Sequence, residues 1–346
     1  MKAGCYTALV TPFTQDGAHV DQKGLEQLVA FQIAGGITGI VAVGTTGESP
    51  TLDWNEHNQV VDSIARLSKN KCLCIAGTGS NNTQEALQAT EHAALQKVDG
   101  VLLMDPYYNG PSSLEIRREY LAPIAARYSK LEIIPYVIPG RTGTQLLPED
   151  LALLYKAYPN VSTVKEATGD LNNMRRTRAC CGPGYTILSG DDGITFEMMT
   201  DPAIGAAGVI SVVSNIAPKA MTDMVARLAA GDRNGAEQLL KKVTPLFDLV
   251  TVKTKERTPH GEVVCRARNP LAVKTLMRLL GMPAGPCRPP MGKMTRAGLD
   301  VVLATARKVW RDTPEILKPI ADFFRVDIAE RLDNPKYQEG LFYREY

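Results

Sequence analysis

Short runs rich in apolar and β-branched residues recur along the first two thirds of the chain, separated by longer segments whose apolar positions return every three or four residues. The runs cover residues 5–13, 39–44, 72–79, 100–106, 132–139, 161–167, 185–190 and 208–214. Unbroken apolar runs of this length suit strands covered on both faces, as in a parallel sheet. Between the first two, residues 20–36 place Leu25, Leu28, Val29 and Ile33 on one helical face. Eight alternations of strand and helix predict a series of right-handed βα units. A closed (β/α)8 TIM barrel, an α/β fold, is the economical solution because it leaves no parallel edge open. The open doubly wound sheet competes with it but lacks its fingerprint, since GTG at 77–79 is followed by Asn82 where the third glycine would stand.

Strand signals stop after residue 215, and helical patterns follow near 217–230, 235–250, 270–281, 293–310 and beyond 319. This predicts a catalytic barrel over 1–230 and an appended C-terminal helical domain over 231–346. Within the latter, residues 251–268 form a charged insertion with a Thr-Pro-His-Gly turn, read as a solvated loop or short hairpin whose basic residues are wet surface. Thr313-Pro314 and Lys318-Pro319 read as helix starts. The mostly apolar stripe of Ile320, Phe323, Phe324, Asp327, Ile328 and Leu332 is expected to pack on the helical domain of its own chain or across a subunit contact.

Composition narrows the partners. With 39 basic and 37 acidic side chains among 346 residues, the net charge of +2 leaves no footprint for nucleic acid or an anionic membrane. Small molecules or other protein chains remain. No segment is apolar for long enough to span a bilayer, and the first residues read as a strand, so a cytoplasmic location is expected. Seven cysteines, an odd number and mostly in apolar runs, suit reduced thiols, and the spacings of Cys72 with Cys74 and Cys180 with Cys181 make no zinc knuckle.

In a barrel of this kind reactive groups collect where the strands end. Those positions hold Thr45, Thr46 and Glu48, then Tyr107 and Tyr108, Tyr136 and Arg141, Lys165, and Gly190 with Asp191 and Asp192. The set has few carboxylates and no histidine, which suits neither a metal nor paired-acid chemistry, and no metal or other cofactor is expected. It suits an amine. A lysine pointing into the barrel is desolvated, keeps a neutral amine and can attack a ketone, so that the Schiff base becomes an electron sink. Tyr136 could then move protons with Thr45 as relay, and the backbone of the GTTGE turn could hold a carboxylate. Each residue also has a plain structural reading: Lys165 as a salt-bridged or snorkelling lysine, the tyrosine pair as packing, GDDG (190–193) as a helix N-cap.

The segments GTTGESPTL, PYYNGPS, PGRTG and VKEATGDL, in this order and spacing, resemble the dihydrodipicolinate synthase and N-acetylneuraminate lyase family of class I aldolases, from about residue 4 to 230 and more loosely to 305. The resemblance implies Lys165 as the Schiff-base lysine and Tyr136 as general acid/base, with Thr45 and Tyr108 completing a proton relay. It implies Thr46 as holder of the pyruvate carboxylate, and the carbonyls of Gly190 and Ile210 as pocket lining. Tyr108 would serve a neighbouring subunit's site, implying a homo-oligomer built of dimers, commonly a tetramer. Arg141 would bind the carboxylate of L-aspartate 4-semialdehyde, pointing to its condensation with pyruvate; a planar guanidinium suits a second carboxylate and not a sugar polyol.

In lysine-inhibited members, the positions matching Ser49, Pro50, Trp54, His57, Asn81, Glu85 and Tyr107 bind free L-lysine. Two departures stand out: Val137 follows the tyrosine where the family usually has asparagine, and the insertion and tail lengthen the chain. The competing functions are another lyase cleaving a 2-oxo acid or deoxy sugar acid, and a barrel that binds without turnover.

Overall fold

The computed structural model describes residues 1–346. Eight parallel strands close in sequence order: β1 (Gly4–Ala8), β2 (Gly39–Ala42), β3 (Leu73–Gly77), β4 (Gly100–Met104), β5 (Glu132–Val137), β6 (Thr163–Glu166), β7 (Thr186–Ser189) and β8 (Gly208–Ser211). Closure is made by β8 against β1, with Tyr6 beside Ile210. Each strand is shorter than the apolar run that announces it, because the run continues into the loop at the strand's end. After β1, for example, Leu9, Val10 and Phe13 stay buried although the pairing stops at Ala8.

Side chains alternate across the barrel wall. Tyr6, Ala8, Val41, Ile75, Leu102, Ile134, Tyr136, Leu188 and Ile210 fill the interior. Their neighbours Cys5, Ile40, Val101, Ile133, Val164, Ile187 and Val209 face outward into the layer beneath the helices. That outer core continues without a break through the helices Arg233–Phe247, Leu271–Leu279 and Arg296–Asp312 and into the tail.

Residues 251–268 form a hairpin, β9 (Thr251–Thr258) and β10 (Gly261–Arg268), paired along its whole length around Pro259 and His260. Alternation puts Lys253, Lys255, Arg257, Arg266 and Arg268 on the exposed face, and turns Val252 and Ala267 toward the core. The tail helices Lys318–Phe324 and Ile328–Asp333 bury Ile320, Ile328 and Leu332 within the same chain. Part of their contact is with the barrel: Phe323 and Phe324 lie 5.3 and 5.2 Å from Phe31 of the first barrel helix, Gln22–Ala34. Phe31 lies off the face defined by Leu25, Leu28, Val29 and Ile33, and it needs the tail to cover it. Of the cysteines, Cys5, Cys74 and Cys287 are buried and Cys180 is exposed, all as free thiols.

The helix Leu271–Leu279 brings a second lysine into the interior. Lys274 Nζ donates to Glu48 Oε1 at 2.6 Å and to the carbonyls of Thr11 and Pro286, each at 2.9 Å. Both members of the pair are sealed from water, at 1% and 0% exposure, so each depends on the other for solvation. Glu48 also accepts from Arg288 N at 2.9 Å. Removing one partner strands a buried charge, so Lys274→Ala should lower stability by about 3–5 kcal/mol. The paired change Lys274→Met with Glu48→Leu should recover most of that loss. Urea denaturation midpoints check both, and a double variant no better than the single one would contradict the account.

Candidate active site

The strand register decides where Lys165 points. It lies beside Tyr136 on β5 and Leu188 on β7, both of which face the barrel interior, so Lys165 shares their face. It is 5% exposed, and its Nζ lies 4.1 Å from the centre of the Tyr136 ring. Burial pulls its pKa down to about 7; the nearby Asp192 opposes this and Arg141 adds to it. Lys165 makes no salt bridge, unlike Lys274. Its amine is therefore neutral in a substantial fraction of molecules near pH 7.

Gly190, at the end of β7, leaves room for this side chain. A Cβ there would lie 2.8 Å from Ala167 Cβ and 3.1 Å from Lys165 Cε. Tyr136 is buried, and burial raises its phenol to about 12, with the Arg141 charge and the neighbouring Thr45 side chain opposing the rise. It stays protonated at neutral pH and can donate. Thr45, sought as its relay partner, lies close enough to act on the phenol.

The turn after β2 is bent by Val43 and Glu48, both at positive φ (46° and 57°), and closed by a hydrogen bond from Glu48 N to Thr45 O at 3.2 Å. The backbone N–H groups of Thr45 and Thr46 donate to no other backbone group, which leaves them for an anion. Thr46 is buried, and its hydroxyl oxygen accepts from Asn269 Nδ2 at 2.8 Å. Arg141 follows β5 on a short helical turn, Pro139–Thr142, and its guanidinium donates to Asn269 O at 3.4 Å. Ile210 contributes its side chain to the barrel interior. Tyr108 does not join this group: it is 94% exposed at φ 76°.

Val137 points outward into the core between barrel and helices, where it is buried among apolar groups. Substitution at this position therefore touches the packing behind Tyr136 and not the pocket. Of the two aspartates in GDDG, Asp191 is the cap, accepting from Gly193 N at 2.8 Å. Asp192 is different. It is buried, accepts from the Val212 and Val213 amides at 2.9 and 3.0 Å, and stands close enough to Lys165 to act on its charge.

The residues matched to a lysine site fall into local contacts. Ser49 and Pro50 open a 3-10 turn, and Asp53 caps the helix Trp54–Ser68 in a capping box with Glu56. Trp54 is 42% exposed and edge-on to His57 at 5.0 Å. His57 is buried and bonds through Nε2 to Gly77 O at 2.9 Å; burial lowers its pKa and favours the neutral ring. Asn81 Oδ1 accepts from Tyr107 N at 2.8 Å, and Glu85 from the Ser80 hydroxyl at 2.5 Å.

Sequence reasoning missed Asn269, Lys274, Asp192 as a neighbour of the amine, and Asp105. Asp105 is buried at the end of β4 and accepts from Leu146 N at 3.0 Å, and burial raises its carboxyl to about 7. Asn269 and Lys274 carry no local signal, because they lie beyond a charged hairpin, more than 200 residues from Thr46 and Glu48. A cavity of about 550 Å³ between the hairpin and the C-terminal residues, lined by Val252, Cys265, Leu271, Met294 and Tyr346, contains none of the groups at the barrel mouth.

Comparison with known proteins gives the family. The model of the dihydrodipicolinate synthetase family matches residues 1–308. The 4-hydroxy-tetrahydrodipicolinate synthase of Geotalea daltonii is 40% identical over 308 residues, covering 89% of this chain and 99% of that protein. The crystal structure of the Cyanidioschyzon merolae dihydrodipicolinate synthase with lysine bound superposes with a TM-score of 0.80 at 32% identity, over 89% of this chain and 98% of that one. The chloride-inhibited enzyme of Acinetobacter baumannii complexed with pyruvate gives 0.80 at 34% identity, over 89% and 99%. The family match over residues 1–308, with a relative 40% identical along nearly its whole length, makes this chain a member of the dihydrodipicolinate synthetase family.

Proposed function

We propose that this protein is a 4-hydroxy-tetrahydrodipicolinate synthase, condensing pyruvate with L-aspartate 4-semialdehyde for diaminopimelate and lysine biosynthesis. The observation that carries the reading is the Lys165 amine, held inside the barrel at a pKa of about 7 beside a phenol at about 12. Amine nucleophile and proton donor thus coexist at neutral pH.

Pyruvate enters as an anion, and its carboxylate meets the free amides of the Thr45–Thr46 turn and the Thr46 hydroxyl. The Lys165 nitrogen attacks the ketone carbon. Protons delivered through Tyr136 and Thr45 turn the ketone oxygen into water, which leaves as the iminium forms. Loss of a methyl proton gives the enamine, whose carbon attacks the semialdehyde carbonyl and converts it to a hydroxyl. The amine of the bound semialdehyde can then add to the imine carbon, close the ring and release Lys165. Arg141 at the mouth offers a charge for the carboxylate that only the second substrate brings there.

The exposure of Tyr108 supports a role in a neighbouring subunit's site, and so an assembly of dimers. No helix is long and apolar enough to cross a membrane, and a cytoplasmic location belongs to this proposal. Regulation by L-lysine belongs to it too: Glu85 would pair with the ligand's ammonium, Asn81 and Tyr107 would bond its polar ends, and Trp54 would cover its stem.

Borohydride reduction in the presence of pyruvate should add a covalent mass to the wild-type protein and none to Lys165→Met. The trapping rate should fall as pH drops through about 7, because the protonated amine cannot attack. The same variant should be more stable at neutral pH. A lysine depressed from 10.5 to about 7 costs folding energy that is fully present below the folded value and fades as pH rises toward the unfolded one. At pH 7 this cost is on the order of 4 kcal/mol. A labelled variant, or a lower melting temperature for Lys165→Met, would count against the assignment.

Arg141→Ala should raise KM for the semialdehyde by at least tenfold with pyruvate trapping largely kept. Equal losses for both substrates would remove Arg141 from that role. Calorimetric titration with L-lysine should give heat and inhibition in the wild type and neither in Glu85→Ala, with lysine affinity altered by pyruvate. Absence of heat in the wild type at millimolar lysine would end the regulatory proposal.

A further inference from the structure

Asn269 is the one residue bonded to both groups that the proposed function assigns to substrate carboxylates. Its carbonyl accepts from Arg141 Nη2 at 3.4 Å, and its Nδ2 donates to Thr46 Oγ1 at 2.8 Å. The residue is 6% exposed, and its Oδ1 is buried with no partner. It enters from the C-terminal part of the chain, directly after Arg268 at the end of β10.

A threonine hydroxyl carries one proton and two acceptor lone pairs. With an amide N–H already donating to its oxygen, its own proton is free to point at another acceptor. An incoming carboxylate is such an acceptor, and a charge-assisted hydrogen bond is the stronger kind. The reverse amide orientation would place Oδ1 on the Thr46 proton and consume it before pyruvate arrived. The orphaned Oδ1 on the other side of the amide is of the kind completed by a donor that arrives with a ligand.

We propose that Asn269 is a positioning residue: its amide N–H occupies the Thr46 oxygen and so directs the Thr46 hydroxyl proton to the pyruvate carboxylate. The C-terminal part of the chain thereby sets the affinity of the barrel for its first substrate. This rests on the assignment of Lys165 as the pyruvate-binding amine, and the test separates the two. Pyruvate dependence of borohydride trapping is measured for the wild type, Asn269→Ala, Asn269→Asp, Thr46→Val, Thr46→Ser and the doubles of Asn269→Ala with each Thr46 variant, with thermal melting to confirm folding.

Asn269→Ala should raise the half-saturating pyruvate concentration about tenfold, the value of one hydrogen bond to a charged group. The isosteric Asn269→Asp should raise it further, because a carboxylate takes the Thr46 proton and repels the substrate, and it supplies the comparison if the truncation unfolds. On Thr46→Val, Asn269→Ala should have no further effect; on Thr46→Ser, which keeps the hydroxyl, its effect should persist. Equal effects of Asp and Ala, or additive effects of Asn269→Ala and Thr46→Val, would overturn the proposal while leaving Lys165 in place. A wild-type protein that traps no pyruvate would overturn both.

Discussion

The sealed ion pair between Glu48 and Lys274 fixes the geometry on which the site depends. Two opposite charges with almost no access to water are stable only while they hold each other and their remaining hydrogen bonds are filled, and here the carbonyls of Thr11 and Pro286 and the amide of Arg288 fill them. Glu48 ends the turn that carries Thr45 and Thr46, while Lys274 belongs to a helix that starts two residues after Asn269. The pair therefore pins the C-terminal segment onto the barrel mouth. Arg288 extends the clamp outward, with Nη1 and Nη2 at 2.6 and 2.7 Å from the two oxygens of Glu56 on the next helix.

The same desolvation gives two buried lysines opposite chemistry. Burial lowers the pKa of both, but Lys274 has a carboxylate at 2.6 Å that opposes the shift and favours its charged form. Lys165 has only the field of Asp192, whose own ionisation burial opposes, and the face of an aromatic ring. One lysine is held in an ion pair, and the other is left with a substantial neutral fraction near pH 7. Residue type and burial are shared; the partner decides.

Much of the fold was legible because hydrophobic patterning is a local property. The eight strands follow from eight apolar runs, each cut back where pairing ends and the loop begins, and the hairpin at 251–268 was one of two readings the sequence left open. The tail stripe was visible too, and Ile320, Ile328 and Leu332 are buried. Its partner was not, since Phe31 lies nearly 300 residues earlier and off the main face of its helix. The two roles assigned to GDDG divide between neighbouring residues: Asp191 caps, as its turn chemistry dictates, and Asp192 turns inward to the amides of β8's end.

The sequence by itself determined the main strands and helices of the barrel, their order, the closed barrel they imply and the residue types at its rim, because periodicity and turn chemistry act over a few neighbours. Tertiary structure decided which face Lys165 takes, how far its amine is stripped of water, and that Val137 lies behind the site and Tyr108 outside it. It alone brought Asn269 and Lys274 to a turn more than 200 residues away. Register, burial and long-range hydrogen bonds are properties of the assembled barrel: each depends on atoms from distant parts of the chain meeting at one place, and no local pattern records that meeting.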